Sequence, residues 1–246
     1  MNLISILIPT YNEEENISEL IDQIIKNIDH KKFDYEIIVI DNYSEDNTAK
    51  IVKELIVKNK KIRLIINNKN YGHLRSPFYG LMQTKGDASI LINADFQDPP
   101  ELIGQLITMW KQGADVVLLK KAKSEENKFM FFIRSFFYSF LNKISDIKLP
   151  SNTTGSGIFD KKFIQNLKKI KDPYPYFRGL IYEIGGNIKY LDFKQPIRKY
   201  GKTKNNFFTL YDLAMLGIIK HSKLPIRILT ITGMFLTIAS ILTALF

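Results

Sequence analysis

An acidic side chain directly after an apolar run has to be neutralised by something. In "ASILINADFQDPPE" a strand-like segment from Ala88 runs into Asn93, Asp95, Gln97 and Asp98 before two prolines stop it. An unpaired carboxylate at such depth is costly. Either this is an ordinary strand-end turn, for which Asp and Pro are common residues, or a divalent cation balances the charge. In the second case Asp95 supplies the carboxylate and Asn93 and Gln97 add neutral oxygens, a hard donor set suited to Mg²⁺ or Mn²⁺. Asp98, turned away by the prolines, reads as a turn residue or helix cap.

Three more polar clusters share the pattern. "PTYNEE", "DNYSEDNT" and "NNKNYGH" follow the apolar runs "ISILIPT" (Ile4–Thr10), "YEIIVID" and "IRLIIN". Between the runs lie amphipathic stretches. "NEEENISELIDQIIKNI" carries Ile17, Leu20, Ile21, Ile24, Ile25 and Ile28 at helical spacing. "SEDNTAKIVKELIVK" predicts a second helix with Ser44 or Asp46 as N-cap, "SPFYGLMQTK" a third, and "ELIGQLITMWKQG" another before a fifth strand, "ADVVLLK". Trp110, in that last helix, reads as packing. Strands apolar throughout, alternating with helices, predict an α/β, Rossmann-like, mostly parallel sheet with helices on both faces. Ligands of such sheets collect at the carboxyl ends of the strands. All four clusters fall there, which implies one shared polar site. There is no GxGxxG and no Walker-type glycine loop, so a nucleotide would be held mainly by side chains and a metal.

Composition narrows the partners. The 246 residues carry 35 Lys and Arg against 25 Asp and Glu, a formal net charge of +10, which favours anionic partners. Acidic residues gathered at the strand ends argue against nucleic acid. No cysteine is present, so disulfides and thiolate metal sites are excluded. From Ile228 to Phe246 the chain is uncharged, long enough to cross a bilayer, and without the polar stripe of a core helix. This divides the chain into a catalytic domain, 1–227, and a transmembrane segment, 228–246, expected to be the truncated start of a longer membrane region. Lys220, Lys223 and Arg227 precede the span and put the soluble part on the cytoplasmic side of the cell membrane. "KFMFFIRSFFYSFLNKI", Lys128–Ile144, combines six phenylalanines with Lys128, Arg134 and Lys143. It reads either as a core helix or as a segment lying among lipids in the membrane interface.

The motifs "ILIPTYNEEENI", "IIVIDNYSEDNT", "GDASILINADFQDPPELI" and "RKYGKTK", in that order, resemble the inverting GT-A glycosyltransferases of family two. The likeness is greatest to the branch of dolichyl-phosphate mannose synthases and bacterial polyprenyl-phosphate glucosyltransferases. The resemblance implies a GT-A fold over nearly the whole chain. It implies that Pro9, Tyr11 and Glu13 lie at the nucleotide base and ribose and that Asp41 contacts the base, with Asn12, Asn42 and Ser44 in the same nucleotide-sugar loops. Asn93, Ala94 and Asp95 take the DxD position, Gln97 joins the metal shell, and Arg198, Gly201 and Lys204 form a basic motif near the phosphates. Three departures stand out. Asn42 and Asn93 replace aspartates, and "NTTGSGIFD" is uncharged from Asn152 to Phe159, where several relatives carry a candidate base.

That last departure has a chemical reading. A sugar hydroxyl needs a carboxylate to take its proton. A phosphate monoester, with a second pKa near 6, is already largely ionised and needs cations around it instead. The "TTGSG" loop, with two glycines exposing backbone N–H groups, suits an anion, and Gly155 and Ser156 are its candidate contacts. Lys120, Lys121, Arg134, Arg198 and Lys204 would supply the cations; Asp160 is the nearest acidic alternative. His73 and Arg75 are candidates for a contact with the nucleotide. The expected activity is transfer, with inversion, from a nucleoside-diphosphate sugar (a UDP-sugar or GDP-mannose) to a polyprenyl phosphate. Asp95, Arg198 and Lys204 would carry the reaction. A hydroxyl acceptor on a glycan or lipid, or a degenerate binding protein that has lost activity through Asn42 and Asn93, are the alternatives. A homo-oligomer is left open.

Overall fold

The computed structural model describes residues 1–123, 139–145, 147–150, 152–200 and 206–245. The chain divides into two compact units, Met1–Glu125 with Asn152–Thr203, and Glu126–Ser151 with Lys204–Phe246.

The first unit alternates strands and helices as the hydrophobic pattern predicts. Its elements are β1 (Asn2–Thr10), α1 (Ile17–Lys26), β2 (Phe33–Asp41), α2 (Thr48–Lys58), β3 (Ile62–Ile66), α3 (Gly72–Met82), β4 (Ala88–Leu91), α4 (Ile103–Lys111) and β5 (Val116–Lys123). They continue with β6 (Thr153–Asp160), α5 (Lys161–Leu167), α6 (Phe177–Ile184) and β7 (Ile188–Lys194). The seven strands form one sheet in the order β3-β2-β1-β4-β6-β5-β7. β1 pairs in parallel with β2 from Asn2↔Phe33 to Thr10↔Asp41, and with β4 from Ile4↔Ala88 to Leu7↔Leu91. Only β6 runs antiparallel, between β4 and β5.

The apolar runs are buried on both faces, which explains why they do not alternate in hydropathy. Ile4, Ile6, Ile8, Ile37 and Val39 face the core under α1, α2 and α4, together with Leu20, Ile21, Ile24 and Val52. Leu7, Ile38 and Ile40 face the other core with Phe78, Phe163, Phe177 and Ile181 from α3, α5 and α6. Pro9 is tolerated near the end of the central strand β1. Leu7, of the same parity, already makes the last bond towards β4, accepting from Ile92 N at 3.1 Å, so the missing N–H costs no ladder bond.

Some boundaries differ from the sequence reading. β4 stops at Leu91, so Ile92–Asp95 is already loop. The N-cap of α2 is Asn47, not Ser44 or Asp46, although Asp46 Oδ1 accepts from Thr48 N at 2.9 Å and so serves the first turn. The "TTGSG" stretch, read as a loop, is the body of β6. Its glycines permit strand crowding rather than a turn. A Cβ at Gly157 would stand 2.0 Å from the Val117 carbonyl, and Gly155 adopts φ +85°, a left-handed value that glycine reaches without strain.

In the second unit, residues 139–144 are helical, followed by α7 (Phe207–His221) and α8 (Leu224–Leu245). Asn206 caps α7: its side chain accepts from Thr209 N at 2.9 Å, and Thr209 Oγ1 accepts from Asn206 N at 2.8 Å. α8 is the one helix among the described residues long and apolar enough to cross a membrane, and none of it is buried. It begins four residues before the expected Ile228. Three of its four threonine hydroxyls turn inward: Thr230, Thr237 and Thr243 donate to the carbonyls of Ile226, Gly233 and Ser240 at 2.9, 2.8 and 2.9 Å. That leaves little hydrogen-bonding capacity facing outward. Most of the Lys128–Ile144 segment, Arg134 included, lies outside the described residues, as do Gly201 and Lys204.

Candidate active site

The carboxyl edge of the sheet is where the backbone departs from ordinary conformations. Among the described residues, the non-glycine positions with positive φ are Asn12, Tyr43, Phe96 and Asn152. The first three sit in the loops after β1, β2 and β4, and the fourth just precedes β6. Left-handed backbone costs a non-glycine residue roughly 1–2 kcal/mol, and such strain concentrates where loops are shaped for a ligand.

The loops after β1 and β2 are knitted together. Asn12 N donates to Ser44 Oγ at 2.8 Å, and Glu45 N donates to Asn12 Oδ1 at 2.8 Å. Ser44 N and Thr10 Oγ1 donate to Asp41 at 3.1 and 3.3 Å, and the Ser44 hydroxyl also donates to it. Asp41 is therefore a buried anchor for the loop that carries Tyr43 and Ser44. Glu13 is fixed through Thr48 Oγ1, which accepts from its backbone N–H at 2.9 Å, and through Asn16 Nδ2, which donates to its Oε2 at 2.7 Å. Tyr11 lies half-buried beside this loop.

Asn42 has a different task from the aspartate it replaces. Its Nδ2 donates to Asn70 Oδ1 at 2.8 Å and to Gly72 O at 3.4 Å. Its Oδ1 accepts from Asn67 Nδ2 at 3.0 Å and Tyr71 N at 2.9 Å. Asn70 Oδ1 also accepts from Gly72 N, which fixes the orientation of both amides. An amide that both donates and accepts closes the 67–72 loop; a carboxylate has no proton to donate.

In the NADFQD loop, Asp95 is 7% exposed. Its Oδ1 accepts from Gln97 N at 3.1 Å, and its Oδ2 accepts from Arg198 Nη2 at 2.8 Å. Arg198 Nη1 also lies 3.8 Å from Glu13 Oε1. The guanidinium expected near the phosphates thus bridges the two carboxylates. Neighbouring Lys199 holds the segment in place through Glu19 at 2.6 Å and over the Phe96 ring. Asp98 corrects the sequence reading. It is fully buried and points back into the loop, where its Oδ2 accepts from Asn93 N (3.1 Å), Asn93 Nδ2 (2.8 Å) and Ser156 Oγ (2.7 Å). Burial raises its carboxyl pKa, against the lowering effect of the Ser156 and Asn93 bonds. With Nδ2 engaged, Asn93 keeps Oδ1 as the atom able to face a cation.

No group of three or more His, Cys, Asp or Glu side chains able to hold a metal is found among the described residues. One buried carboxylate already matched by a cation, flanked by two amide oxygens, fits a hard divalent ion whose shell is completed by substrate oxygens.

On the far side of β6, Lys121 N donates to Asn152 O at 3.0 Å, and Lys120 pairs in register with Thr153. Arg178, which sequence reasoning did not single out, lies against Gly155 and donates from Nη2 to Thr154 O at 3.2 Å. His73 is held below its ordinary pKa, first by burial and then by the charge of Arg178. Arg75 is held over Tyr71 and Tyr174, its guanidinium carbon 5.2 and 4.6 Å from the ring centroids. Asp160 is at the wrong edge of the sheet: paired with Ala88 at the start of β4, it caps α5 through Lys162 N (2.7 Å) and accepts from Trp110 Nε1 (2.9 Å). Trp110 therefore packs and also donates.

The sequence model described as Glycosyl transferase family 2 matches residues 5–170, more than half of the chain. The chain belongs to glycosyltransferase family 2. The enzyme is 31% identical over 244 residues to an uncharacterised glycosyltransferase of Synechocystis sp., covering 99% of this chain and 77% of that protein. It is 31% identical over 240 residues to a protein of Shigella phage SfX named bactoprenol glucosyl transferase, covering 97% of this chain and 79% of that one. Among solved structures, glucosyl-3-phosphoglycerate synthase of Mycobacterium tuberculosis, in complex with Mn²⁺, UDP-glucose and phosphoglyceric acid, superposes with a TM-score of 0.61. That match covers 88% of this chain and 77% of that one at 18% identity, and it shows the shared GT-A-like fold.

Proposed function

We propose that this glycosyltransferase moves a sugar, with inversion, from a UDP-sugar to a polyprenyl phosphate at the cytoplasmic face of the membrane, anchored by α8. The observation that carries the reading is the acceptor strand. From Thr153 to Phe159, β6 brings no carboxylate to the carboxyl edge, and its single aspartate, Asp160, is committed at the opposite edge. A hydroxyl acceptor would need a base there; a phosphate monoester would not. Relatives named bactoprenol glucosyl transferase support a lipid phosphate, and the fold relative bound to Mn²⁺ and UDP-glucose supports a metal-dependent UDP-sugar donor.

In this reading Asp95, with Asn93 and Gln97, would hold Mg²⁺ or Mn²⁺, which when bound would supply positive charge for the departing diphosphate. Asp41, Ser44 and Asn12 shape the loop against the nucleoside, and the Asn42 amide fixes the neighbouring 67–72 loop. Arg198 leaves Asp95 for the diphosphate once the donor binds. A phosphate oxygen of the acceptor attacks the anomeric carbon, the bond from that carbon to the diphosphate oxygen breaks, and UDP leaves with the electron pair. No proton has to be moved. The test is incubation of membranes containing the protein with labelled UDP-glucose, UDP-N-acetylglucosamine or GDP-mannose and polyprenyl phosphate or polyprenol. Labelled, mild-acid-labile lipid from polyprenyl phosphate alone is expected; equal labelling of polyprenol would refute the reading.

A further inference from the structure

Ser156, a candidate contact for the acceptor in the sequence, is buried and faces inward instead. Its Oγ donates to Asp98 Oδ2 at 2.7 Å and accepts from Asn93 Nδ2 at 3.1 Å. Asp98 Oδ2 also accepts from Asn93 N and Nδ2 at 3.1 and 2.8 Å, so three donors meet on one oxygen. The other oxygen, Oδ1, is buried with no hydrogen-bond partner. Closing the NADFQD loop takes a bond to one backbone N–H. Asp98, a carboxylate costly to bury, adds bonds to the Asn93 amide and to the β6 hydroxyl that shares it. Between them, Asp98 and Ser156 use both hydrogens of Asn93 Nδ2. The amide cannot turn over without setting its own oxygen against the Asp98 carboxylate. Asn93 itself is exposed, and both bonds leave its Oδ1 unengaged.

We propose that Asp98 is a positioning residue: with Ser156 it clamps the Asn93 amide so that Oδ1, and not the amide nitrogen, is presented to the divalent cation. This rests on the reading of Asn93 as a metal ligand. A carboxylate offers a cation an oxygen in either orientation, whereas an amide turned over offers N–H donors, which a cation repels. An asparagine at position 93 therefore needs a partner that fixes its orientation, as ligands of metal sites commonly do. Asp98 supplies it whatever its protonation state. Three donors leave no place for a proton on Oδ2, so that oxygen remains the acceptor for Asn93. Ser156 carries the clamp into β6, the strand beside β4, and so joins the metal loop to a side chain fifty-eight residues later than Asp98.

The test is a double-mutant cycle on the full-length chain in detergent. Mn²⁺ affinity at saturating UDP is read from the free-Mn²⁺ signal in electron paramagnetic resonance. Asn93→Ala and Asp98→Ala should each raise the Mn²⁺ dissociation constant about tenfold or more. The double variant should be no worse than Asn93→Ala alone, because residues that act through one contact are not additive. Asp98→Asn should restore part of the affinity: its carbonyl can take the place of Oδ2, and its nitrogen then falls where Oδ1 has no partner. Ser156→Ala, which leaves Asp98 in place, should raise the constant about threefold and reads the clamp if Asp98→Ala does not fold. UDP affinity without Mn²⁺ should stay within a factor of about two in every variant, as for sites that share no contact; a loosened fold would lower it together with the metal. Unchanged Mn²⁺ affinity in Asn93→Ala would overturn the metal reading of Asn93, and the role of Asp98 with it. If Asn93→Ala weakens the metal but Asp98→Ala and Ser156→Ala do not, or if the two alanine losses multiply in the double variant, Asp98 does not act through Asn93 and the metal reading stands.

Discussion

In the proposed site Arg198 and a metal ion would compete for one carboxylate, and the size of that competition follows from the contact between Arg198 and Asp95. The Arg198 Nη2–Asp95 Oδ2 contact is 2.8 Å, with the two side chains 24% and 10% exposed. This is too enclosed for the near-zero value of an exposed ion pair. A hydrogen bond between charged groups is worth about 1.5–3 kcal/mol, and the partial exposure of the guanidinium places this one at the lower end, about 1.5 kcal/mol. A cation entering at Asp95 must first displace that contact, so Arg198→Ala should tighten Mn²⁺ binding to the nucleotide-free protein about tenfold, the equivalent of 1.4 kcal/mol. With UDP present the sign should reverse. The displaced guanidinium is then available to the diphosphate, and its removal should weaken joint binding of UDP and Mn²⁺. The free-Mn²⁺ signal in electron paramagnetic resonance, titrated with and without UDP, reads both quantities. Equal Mn²⁺ affinity of wild type and Arg198→Ala without nucleotide would refute the competition. Tightening by the same factor in both conditions would show that Arg198 only repels the metal and does not serve the diphosphate.

Asp95→Asn keeps the shape and removes the charge, and should lower turnover by more than tenfold, about 1.4 kcal/mol of barrier; retention of a larger share in the lipid-labelling assay would exclude Asp95 as the metal carboxylate. Asn42→Asp sets an acceptor against Asn70 Oδ1 and Gly72 O, and should destabilise the protein by about 1–3 kcal/mol, read as a lower thermal midpoint in detergent; an unchanged midpoint would show that the 67–72 loop does not depend on the amide. Asp160→Asn should lower stability by leaving one acceptor oxygen for two donors, Lys162 N and Trp110 Nε1, yet leave turnover at low temperature intact; a loss of turnover by orders of magnitude would restore Asp160 as a base. With a phosphate acceptor the rate should rise through about pH 6 as the monoester loses its second proton, and a profile flat across that range would favour a different nucleophile.

The four parallel strands from β1 to β4, their helices and the polar edge were legible because the signals are local. An apolar run buried on both faces, a helical period and a polar cluster at the strand end each lie within about a dozen residues of chain. The acceptor half was not legible for the opposite reason. β6 has few large apolar residues and two glycines where strands usually carry β-branched ones. Its identity as a strand comes from neighbours far away in sequence: Val117 O needs the space at Gly157, and Leu91 sits opposite it in the ladder. Asp98 shows the same limit at a single residue. Its prolines suggest an outward turn, but the donors that draw it inward are Asn93, five residues earlier, and Ser156, fifty-eight residues later. Asn42 and Asn93, read as losses against a family pattern, turn out to be hydrogen-bond donors that an aspartate could not replace. Asn42 holds a loop, and Asn93 neutralises the polar demand of a buried carboxylate. An aspartate at 93 would face Asp98 where the amide now donates, and like charges in contact at that depth would force one of them to hold a proton. The departures from the motif therefore follow from the company each residue keeps, which no single stretch of sequence displays.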